Sequence, residues 1–226
     1  MALLFTLKVS MNYKAVLFDL DGTLLDTLED IARSMNAVLT NAGFPAHPVE
    51  EYRGFIGEGI ANLVRRALPK RCADERTVQQ HVSAMIDEYG RLWAEHTRPY
   101  PEIPKLLHAL AVRKFKMAVL SNKMDSFTRD MVKNLLADWQ FEEVLGAQPS
   151  IPRKPDPTGA LLISRQCGVR PEEFLYLGDS NTDMQTAVNA GIYPVGALWG
   201  FQTADQLLAA GAQTLIAKPL ELLTLL

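Results

Sequence analysis

The sequence is poor in the features that mark disulfide-rich, zinc-binding and membrane-spanning proteins. Its 226 residues include two cysteines, Cys72 and Cys167, without a CxxC pair or a nearby histidine, which excludes a disulfide framework and a zinc–cysteine site. No window approaches the roughly 18 uninterrupted apolar residues of a membrane helix. The short apolar run at residues 1–9 is interrupted by Lys8 and lacks a cleavage site. We therefore expect a cytoplasmic protein with no targeting segment and no membrane partner.

Charge and composition exclude two further classes of protein. The 23 Lys and Arg residues are offset by 26 Asp and Glu residues, so the net charge of -3 provides no cationic field to attract a nucleic acid. Apolar residues make up 48% of the chain, and 14 Gly and 13 Pro are too few for a low-complexity protein. We expect a globular protein that binds any anion at a local site.

Three short apolar runs each end at a polar residue. The runs cover residues 15–18, 117–120 and 174–177. Continuous apolar runs of this length are typical of strands that are covered on both faces, as in a parallel sheet. Ligands of such sheets bind beyond the carboxyl ends of the strands, so the polar residues that follow the runs are expected to gather at one edge. These residues are Asp19, Ser121 and Asp179.

Helical periodicity between the runs determines the predicted fold class. Apolar residues recur at helical spacing in three segments, residues 103–112, 127–139 and 158–167. Strands that alternate with helices form right-handed βαβ units. A further strand is predicted near residues 193–197. The sequence therefore predicts an α/β protein with a doubly wound, mainly parallel, Rossmann-like sheet.

Residues 27–96 lack strand-like runs and show helical spacing instead. Three helices are predicted there, around residues 28–41, 60–68 and 78–93. Thr27 and Asp30 have the spacing of a capping box at the start of the first helix. We expect a small α-helical domain at residues 27–96, inserted into an α/β core formed by residues 1–26 and 97–226.

Two acidic motifs follow the first and third runs. Asp19 and Asp21 straddle one residue, and Asp179 and Asp183 lie one helical turn apart. Separately, these motifs also suit a turn and an N-capped helix. Two carboxylates ~4 Å apart repel by ~4 kcal/mol at an effective dielectric near 20, so converging carboxylates need a cation among them. Oxygen ligands with room for water favour Mg²⁺.

Two other motifs provide groups for an anion. Ser121 and Asn122 follow the second run, where a hydroxyl and backbone N–H groups can hold a phosphate, although the same residues could simply begin a helix. Lys154 is flanked by prolines in residues 152–157, and it is either a presented cation or an ordinary solvated lysine. The chain order of carboxylate pair, hydroxyl, lysine and carboxylate pair favours an active site.

In this order the motifs resemble those of the haloacid dehalogenase superfamily of aspartate-nucleophile phosphohydrolases. The resemblance spans residues 13–196 and rests on four segments, residues 18–26, 120–123, 154–157 and 178–184. Within the superfamily the chain is most similar to phosphoglycolate phosphatases, through residues 52–59 and 98–101. The helical insert then resembles the small helical cap of that superfamily.

The resemblance implies a role for each acidic residue. Asp19 would attack phosphorus and form an aspartyl-phosphate. Asp21 would protonate the leaving alkoxide and then take a proton from water. Mg²⁺ would be held by Asp19, the backbone carbonyl of Asp21 and Asp179. Asp183 would orient a metal-bound water or Lys154.

The resemblance also implies how the substrate is bound. Phosphate contacts are implied for Gly22, Thr23, Ser121, Asn122 and Lys154. Ser121 and Lys154 would in addition stabilise transition-state charge. Arg53 is expected to contact the organic end of the substrate. The expected substrate is a small phosphorylated metabolite, and the expected assembly is a monomer or homodimer.

Other functions remain open from the sequence. A hexose-phosphate mutase uses the same aspartate pair and a similar cap, and a broad sugar-phosphate or nucleotide phosphatase has the same motifs. A dehalogenase or a phosphonate hydrolase is disfavoured because each lacks an acid at the position of Asp21. A non-catalytic phospho-acceptor signalling module has the acidic pair on the first strand and the acceptor on a later one, which is the reverse of the order here.

Overall fold

The computed structural model describes residues 13–226, so the interpretation of residues 1–9 as a non-targeting segment lies outside the described residues. The elements in chain order are β1 (Ala15–Phe18), β2 (Leu25–Asp26), α1 (Leu28–Asn41), α2 (Ile60–Ala67), α3 (Glu75–Leu92), β3 (Arg98–Pro99), α4 (Ile103–Val112), β4 (Lys116–Met124), α5 (Asp125–Leu135), β5 (Glu143–Ala147), α6 (Thr158–Cys167), β6 (Phe174–Gly178), α7 (Asn181–Ala190), β7 (Tyr193–Ala197), α8 (Ala204–Ala209) and β8 (Thr214–Ile216).

The main sheet has six parallel strands in the order β5-β4-β1-β6-β7-β8. β1 lies at its centre, where Phe18 is in register with Val119 of β4 and Leu177 of β6. All four residues of β1 are fully buried, which explains why the run is apolar throughout. The sheet confirms the predicted fold class and the four predicted strands.

Helices cover both faces of this sheet. On one face, α4 and α5 contribute Leu106 and Met131 to the apolar core. On the other face, α6 and α7 contribute Ile163 and Ala187. This two-sided cover is the doubly wound arrangement, and it leaves the carboxyl edge of the central strands free for a site.

The helical insert has an apolar cluster of its own. α1, α2 and α3 bury Met35, Val64 and Met85 against one another. The chain leaves the sheet region through β2 and returns through β3, and these two short strands pair antiparallel. The three predicted helices of this segment are observed.

The predicted capping box at the start of α1 is wrong. The Thr27 side chain makes no capping hydrogen bond and has no partner among residues 13–226. Asp30 instead accepts hydrogen bonds from the backbone N–H groups of His96 (3.0 Å) and Thr97 (2.8 Å) and from the Thr97 hydroxyl (2.8 Å). Burial raises the pKa of Asp30, but these hydrogen bonds outweigh it and lower the pKa. Asp30 thus ties the start of the insert to its end.

Some elements differ from the prediction or were not predicted. β4 continues to Met124 and α5 begins immediately after it, so Ser121 does not begin a helix. α5 also ends at Leu135, earlier than the expected residue 139. β2, β3, β5 and β8 were not predicted. In the part of the chain that the structure describes, no helix is long and apolar enough to cross a bilayer.

Candidate active site

The ends of the central strands bring the predicted residues together at one edge of the sheet. Asp19 directly follows β1 and Asp179 directly follows β6, while Ser121 lies near the end of β4. The backbone N–H of Asp19 donates to the carbonyl of Leu177 at 3.0 Å, which continues the pairing of β1 with β6. These residues line a cavity of about 780 Å³, counting its part open to solvent, together with Asp21.

Lys154 is held among the acidic residues by three hydrogen bonds. Its Nζ donates to Asp19 Oδ1 (2.7 Å), to Asp183 Oδ1 (2.6 Å) and to the carbonyl of Leu120 (2.9 Å). The side chain is only 3% exposed. Burial lowers the pKa of Lys154, but the charges of Asp183 and Asp19 raise it well above its usual value. Lys154 is therefore a fixed cation with all three of its donors used.

The acidic residues carry more negative charge than Lys154 neutralises. Burial and the charge of Asp183 raise the pKa of Asp19 to about 7, although Lys154 opposes the shift. Burial and the charge of Asp19 raise the pKa of Asp179 well above its usual value. Both shifts point to a site in which ionised carboxylates need another cation.

The carboxylates are spaced for a metal ion. Asp19, Asp179 and Asp183 are buried, and an oxygen from each lies within 4.8 Å of the others. Asp179 is oriented by the Thr23 hydroxyl, which donates to its Oδ1 at 2.9 Å, and by the N–H of Phe201, which donates to its Oδ2 at 2.7 Å. Such an all-oxygen donor set fits a hard divalent cation.

Asp183 differs from Asp179 because each of its oxygens accepts two hydrogen bonds, whereas each oxygen of Asp179 accepts one. Oδ1 accepts from Lys154 and from the Tyr176 hydroxyl (3.1 Å). Oδ2 accepts from the N–H (3.0 Å) and the hydroxyl (2.6 Å) of Ser180. The hydrogen bond between Asp183 and Lys154 fits one of the two expected roles of Asp183, the orientation of Lys154, and the role itself stays a prediction.

Ser121 and Asn122 line the same cavity. Asn122 Nδ2 donates to the carbonyls of Gly57 (3.0 Å) and Lys154 (3.1 Å), and its Oδ1 accepts from the N–H of Lys154 (2.9 Å). The Asn122 side chain therefore fixes the loop that carries Lys154 and links it to the insert. Ser121 Oγ accepts a hydrogen bond from the N–H of Lys123 at 3.2 Å, which leaves its O–H able to donate into the cavity.

The profile of the haloacid dehalogenase-like hydrolases matches residues 16–197. The chain belongs to this family. It is 32% identical over 188 residues to the phosphoglycolate phosphatase of Aquifex aeolicus, covering 83% of this chain and 86% of the relative. It is 31% identical over 204 residues to the phosphoglycolate phosphatase of Mannheimia succiniciproducens, covering 85% and 89%.

Solved structures agree with this membership. A haloacid dehalogenase-like family hydrolase from Streptococcus pneumoniae superposes with a TM-score of 0.85 at 25% identity, covering 94% of this chain and 98% of that one. A structure from Lactobacillus delbrueckii subsp. bulgaricus gives a TM-score of 0.88 at 28% identity, covering 94% and 97%. The hydrolase fold therefore extends over almost the whole chain.

The structure does not support the phosphate contacts predicted for Gly22 and Thr23 in this hydrolase. The N–H of Gly22 donates to Leu25 O (2.9 Å) and that of Thr23 to Leu20 O (3.3 Å), so neither is free for an anion. Neither residue lines the cavity. Both instead lie against the carboxylate of Asp179, Thr23 through its hydroxyl and Gly22 through its lack of a side chain.

Arg53 lies outside the cavity lining as well, and its contact with the substrate stays a prediction. Its Nε pairs with Glu50 (2.6 Å), its Nη1 donates to the carbonyl of Gly200 (2.9 Å), and its guanidinium lies 5.9 Å from the centre of the Phe201 ring. The hydrogen bond from Arg53 to Glu50 raises the pKa of Arg53. Arg53 thus joins the insert to the loop beside Asp179.

The sequence analysis missed Lys123 as a side chain of the site. Its Nζ donates to Asp21 Oδ1 at 2.8 Å, and the side chain is 8% exposed. Only its place directly after Ser121 and Asn122 in the second motif hinted at this position, and that motif predicts backbone contacts with a phosphate. The pairing joins residues 102 positions apart, so only the register of β1 and β4 reveals it.

We expect Gly22→Ala to lower kcat/KM at least about 100-fold. The added methyl group would displace the carboxylate of Asp179, and a displacement of about 1 Å in an active site can reduce the rate by this factor. A Cβ at Gly22 would collide with the carboxylate of Asp179, and Gly22 has a φ of 85°. Gly43→Ala is the matched control, since Gly43 has a φ of 76° but no atom within 4 Å of the added Cβ. The control should lose about 1 kcal/mol of stability and keep its activity. Equal activity in the two variants, measured beside their thermal unfolding, would contradict the expected displacement.

Proposed function

We propose that this hydrolase cleaves a small phosphomonoester by way of an aspartyl-phosphate on Asp19, with 2-phosphoglycolate as the first candidate substrate. The observation that carries the proposal is the position of Asp19. It lies at the end of the central strand, in the cavity, bound to Lys154 and near the carboxylate of Asp179. Relatives named phosphoglycolate phosphatase at 31–32% identity support the substrate.

In the first step a carboxylate oxygen of Asp19 attacks phosphorus, and the bond from phosphorus to the ester oxygen breaks. Asp21 gives a proton to that oxygen, so the leaving group departs as an alcohol and not as an alkoxide. Asp21 lines the same cavity as Asp19. In the second step water attacks phosphorus, Asp21 takes the proton, and the bond from phosphorus to Asp19 breaks to release phosphate.

Mg²⁺ would be held by Asp19, the backbone carbonyl of Asp21 and Asp179, and when bound it would neutralise charge on the carboxylates and on the phosphoryl group. Asp183 would act behind these ligands by holding Lys154. The Thr23 hydroxyl and the Phe201 N–H keep the Asp179 carboxylate in one orientation. Because the Asp179 carboxylate is already oriented, it would need little rearrangement to bind Mg²⁺.

The hydroxyl of Ser121 would bind a phosphoryl oxygen at the same edge as Asp19. Lys154, whose donors are held by Asp19, Asp183 and Leu120, would stabilise the charge on the equatorial oxygens through its own positive charge. We propose that residues 27–96 act as a cap over this edge. Gly57 of the insert already contacts the Asn122 side chain, and closure there would exclude water from the reaction.

A reducing cytoplasm suits this activity and the thiol chemistry of the chain. Cys72 and Cys167 are both unpaired, and Cys167 is buried. Burial raises the pKa of Cys167, which keeps its thiol protonated and unreactive. Small phosphorylated metabolites are also plentiful in that compartment, so we propose that the enzyme acts there.

The proposed function is tested by phosphate release from a panel of substrates in the presence of Mg²⁺. The panel contains 2-phosphoglycolate, hexose monophosphates, nucleoside monophosphates and p-nitrophenyl phosphate. We expect 2-phosphoglycolate to give the highest kcat/KM. Formation of an isomer from a hexose phosphate and its bisphosphate would instead identify a mutase, and no release from any ester would refute the proposal.

A further inference from the structure

The cavity has a polar floor and an apolar wall opposite it. The floor is formed by residues of the phosphoryl site, and the wall by Ile31, Ile56, Ile60, Leu63, Met85 and Phe127. Only two cationic side chains line it within the described residues, Lys154 and Lys123. An anionic group on the alcohol half of a substrate would be costly to bury against this wall unless one of these cations pairs with it.

Lys154 is not available for that pairing, because Asp19, Asp183 and Leu120 take its three donors. Within residues 13–226, Lys123 Nζ donates to Asp21 Oδ1, and the Tyr89 side chain is its other polar neighbour, so at most two of its three donors are used. An ammonium group has three N–H donors, and buried donors are rarely left unused. Lys123 therefore has capacity to donate to a ligand in the cavity while it keeps its bond to Asp21.

Two contacts hold the Lys123 ammonium in place. Its Nζ donates to Asp21 Oδ1 at 2.8 Å, and the side chain is only 8% exposed. Its Nζ lies 4.6 Å from the centre of the Tyr89 ring, a cation–π contact that adds to the ion pair. The apolar wall keeps the local dielectric low, so a second ion pair formed here would be strong.

Lys123 is also at the right distance from the chemistry. Its Nζ is 2.8 Å from the carboxylate of Asp21, the group proposed to protonate the ester oxygen. In 2-phosphoglycolate one carbon separates that oxygen from the carboxylate. A group that contacts Asp21 can therefore also reach the carboxylate of such a substrate. Arg53 is less well placed, since it does not line the cavity.

We infer that Lys123 is the specificity-determining residue of this site and that it binds a carboxylate on the alcohol half of the substrate. The inference rests on the proposed phosphatase function and deepens it. Lys123 thereby takes the substrate-binding role that the sequence analysis expects of Arg53. Lys123 belongs to the core and lies on β4, the strand that also carries Ser121. The selected substrates are short phosphorylated hydroxy acids, with the carboxylate near the ester oxygen.

The test compares 2-phosphoglycolate with its neutral amide, 2-phosphoglycolamide, in the wild type and in Lys123→Met. The substitution removes the charge and keeps most of the length and apolar contact. A hydrogen bond to a charged group contributes about 1.5–3 kcal/mol, so we expect the kcat/KM for the acid to fall at least about tenfold more than that for the amide. The selective loss should appear in KM, and Lys123→Arg should restore part of it.

Arg53→Ala is the matched control for a cation beside the site. It should change the kcat/KM values of the two substrates by the same factor, because Arg53 does not line the cavity. An unchanged inhibition constant for orthovanadate would show that the phosphoryl site of Lys123→Met is intact.

Two outcomes would overturn the inference while the proposed function stands. One is an equal loss of kcat/KM for the acid and the amide in Lys123→Met, which would mean that Lys123 contacts Asp21 but not the carboxylate of the substrate. The other is a wild-type enzyme that hydrolyses the amide as well as the acid, a result that requires no variant to fold. Phosphate release from no ester at all would refute the proposed function, and the inference with it.

Discussion

Asp19→Asn is expected to abolish turnover, with kcat reduced at least about 10⁴-fold. A neutral amide at this position cannot attack phosphorus, and none of the surrounding carboxylates replaces it as nucleophile. Asp179 is held by Thr23 and Phe201, and both oxygens of Asp183 are occupied. Steady-state phosphate release measures the loss, and trapping of a phosphorylated protein at low pH should succeed in the wild type only.

The same substitution should not destabilise the metal-free fold. The pKa of Asp19 is raised to about 7 by burial and by Asp183, so the folded protein disfavours the ionised form at neutral pH despite Lys154. A neutral Asn relieves that charge and can still accept a hydrogen bond from Lys154. We expect an equal or higher Tm without metal at pH 8. The control is Asp205→Asn, at an exposed position in α8, which should retain full activity.

A variant that retains near wild-type turnover would remove Asp19 from the mechanism. A large drop in Tm together with lost activity would mean that the fold needs Asp19, because we expect the substitution to remove catalysis without lowering the Tm. The two measurements therefore separate the role of Asp19 in catalysis from its role in the fold.

The parts of the site that sequence reasoning predicted are those with local causes. Asp19 and Asp179 each come directly after a strand that is buried on both faces, and such strands are recognisable as continuous apolar runs. Because β1 and β6 are parallel neighbours in the sheet, their carboxyl ends lie side by side. The position of both carboxylates follows from the apolar pattern of two short segments.

The parts that it missed depend on contacts between distant segments. Lys123 is paired with Asp21 across 102 positions, and Thr23 with Asp179 across 156. Spacing along the chain carries no signal for such pairs. Asp30 shows the same limit, since its local pattern predicted a helix cap but residues 66 and 67 positions away occupy its carboxylate.

The secondary-structure elements likewise divide into those that have local causes and those that depend on contacts with distant segments. β1 and β6 are long enough and apolar enough to be recognised alone, whereas β8 has three residues and β2 and β3 have two each. The short strands exist because a neighbouring strand offers them hydrogen bonds, which is a property of the assembled sheet. The helical insert was recognisable because its helices are amphipathic over several turns.

Removal of divalent metal is expected to eliminate the activity reversibly. Three carboxylate oxygens lie within 4.8 Å of one another, and like charges at that distance repel by roughly 3–4 kcal/mol per pair at an effective dielectric near 20. Lys154 alone does not offset this repulsion, as the raised pKa values of Asp19 and Asp179 indicate. Protein treated with EDTA should release no phosphate, and excess Mg²⁺ should restore the rate.

Thermal unfolding provides a second readout that does not depend on turnover. Because Mg²⁺ binds the folded site and not the unfolded chain, a concentration about 100 times Kd should raise Tm by roughly 5 °C. Asp179→Asn should lose this response, because it removes a ligand, while Asp205→Asn should keep it. Full activity in EDTA, or the same Tm shift in Asp179→Asn as in the wild type, would show that Lys154 alone neutralises the carboxylates and that no metal is needed there.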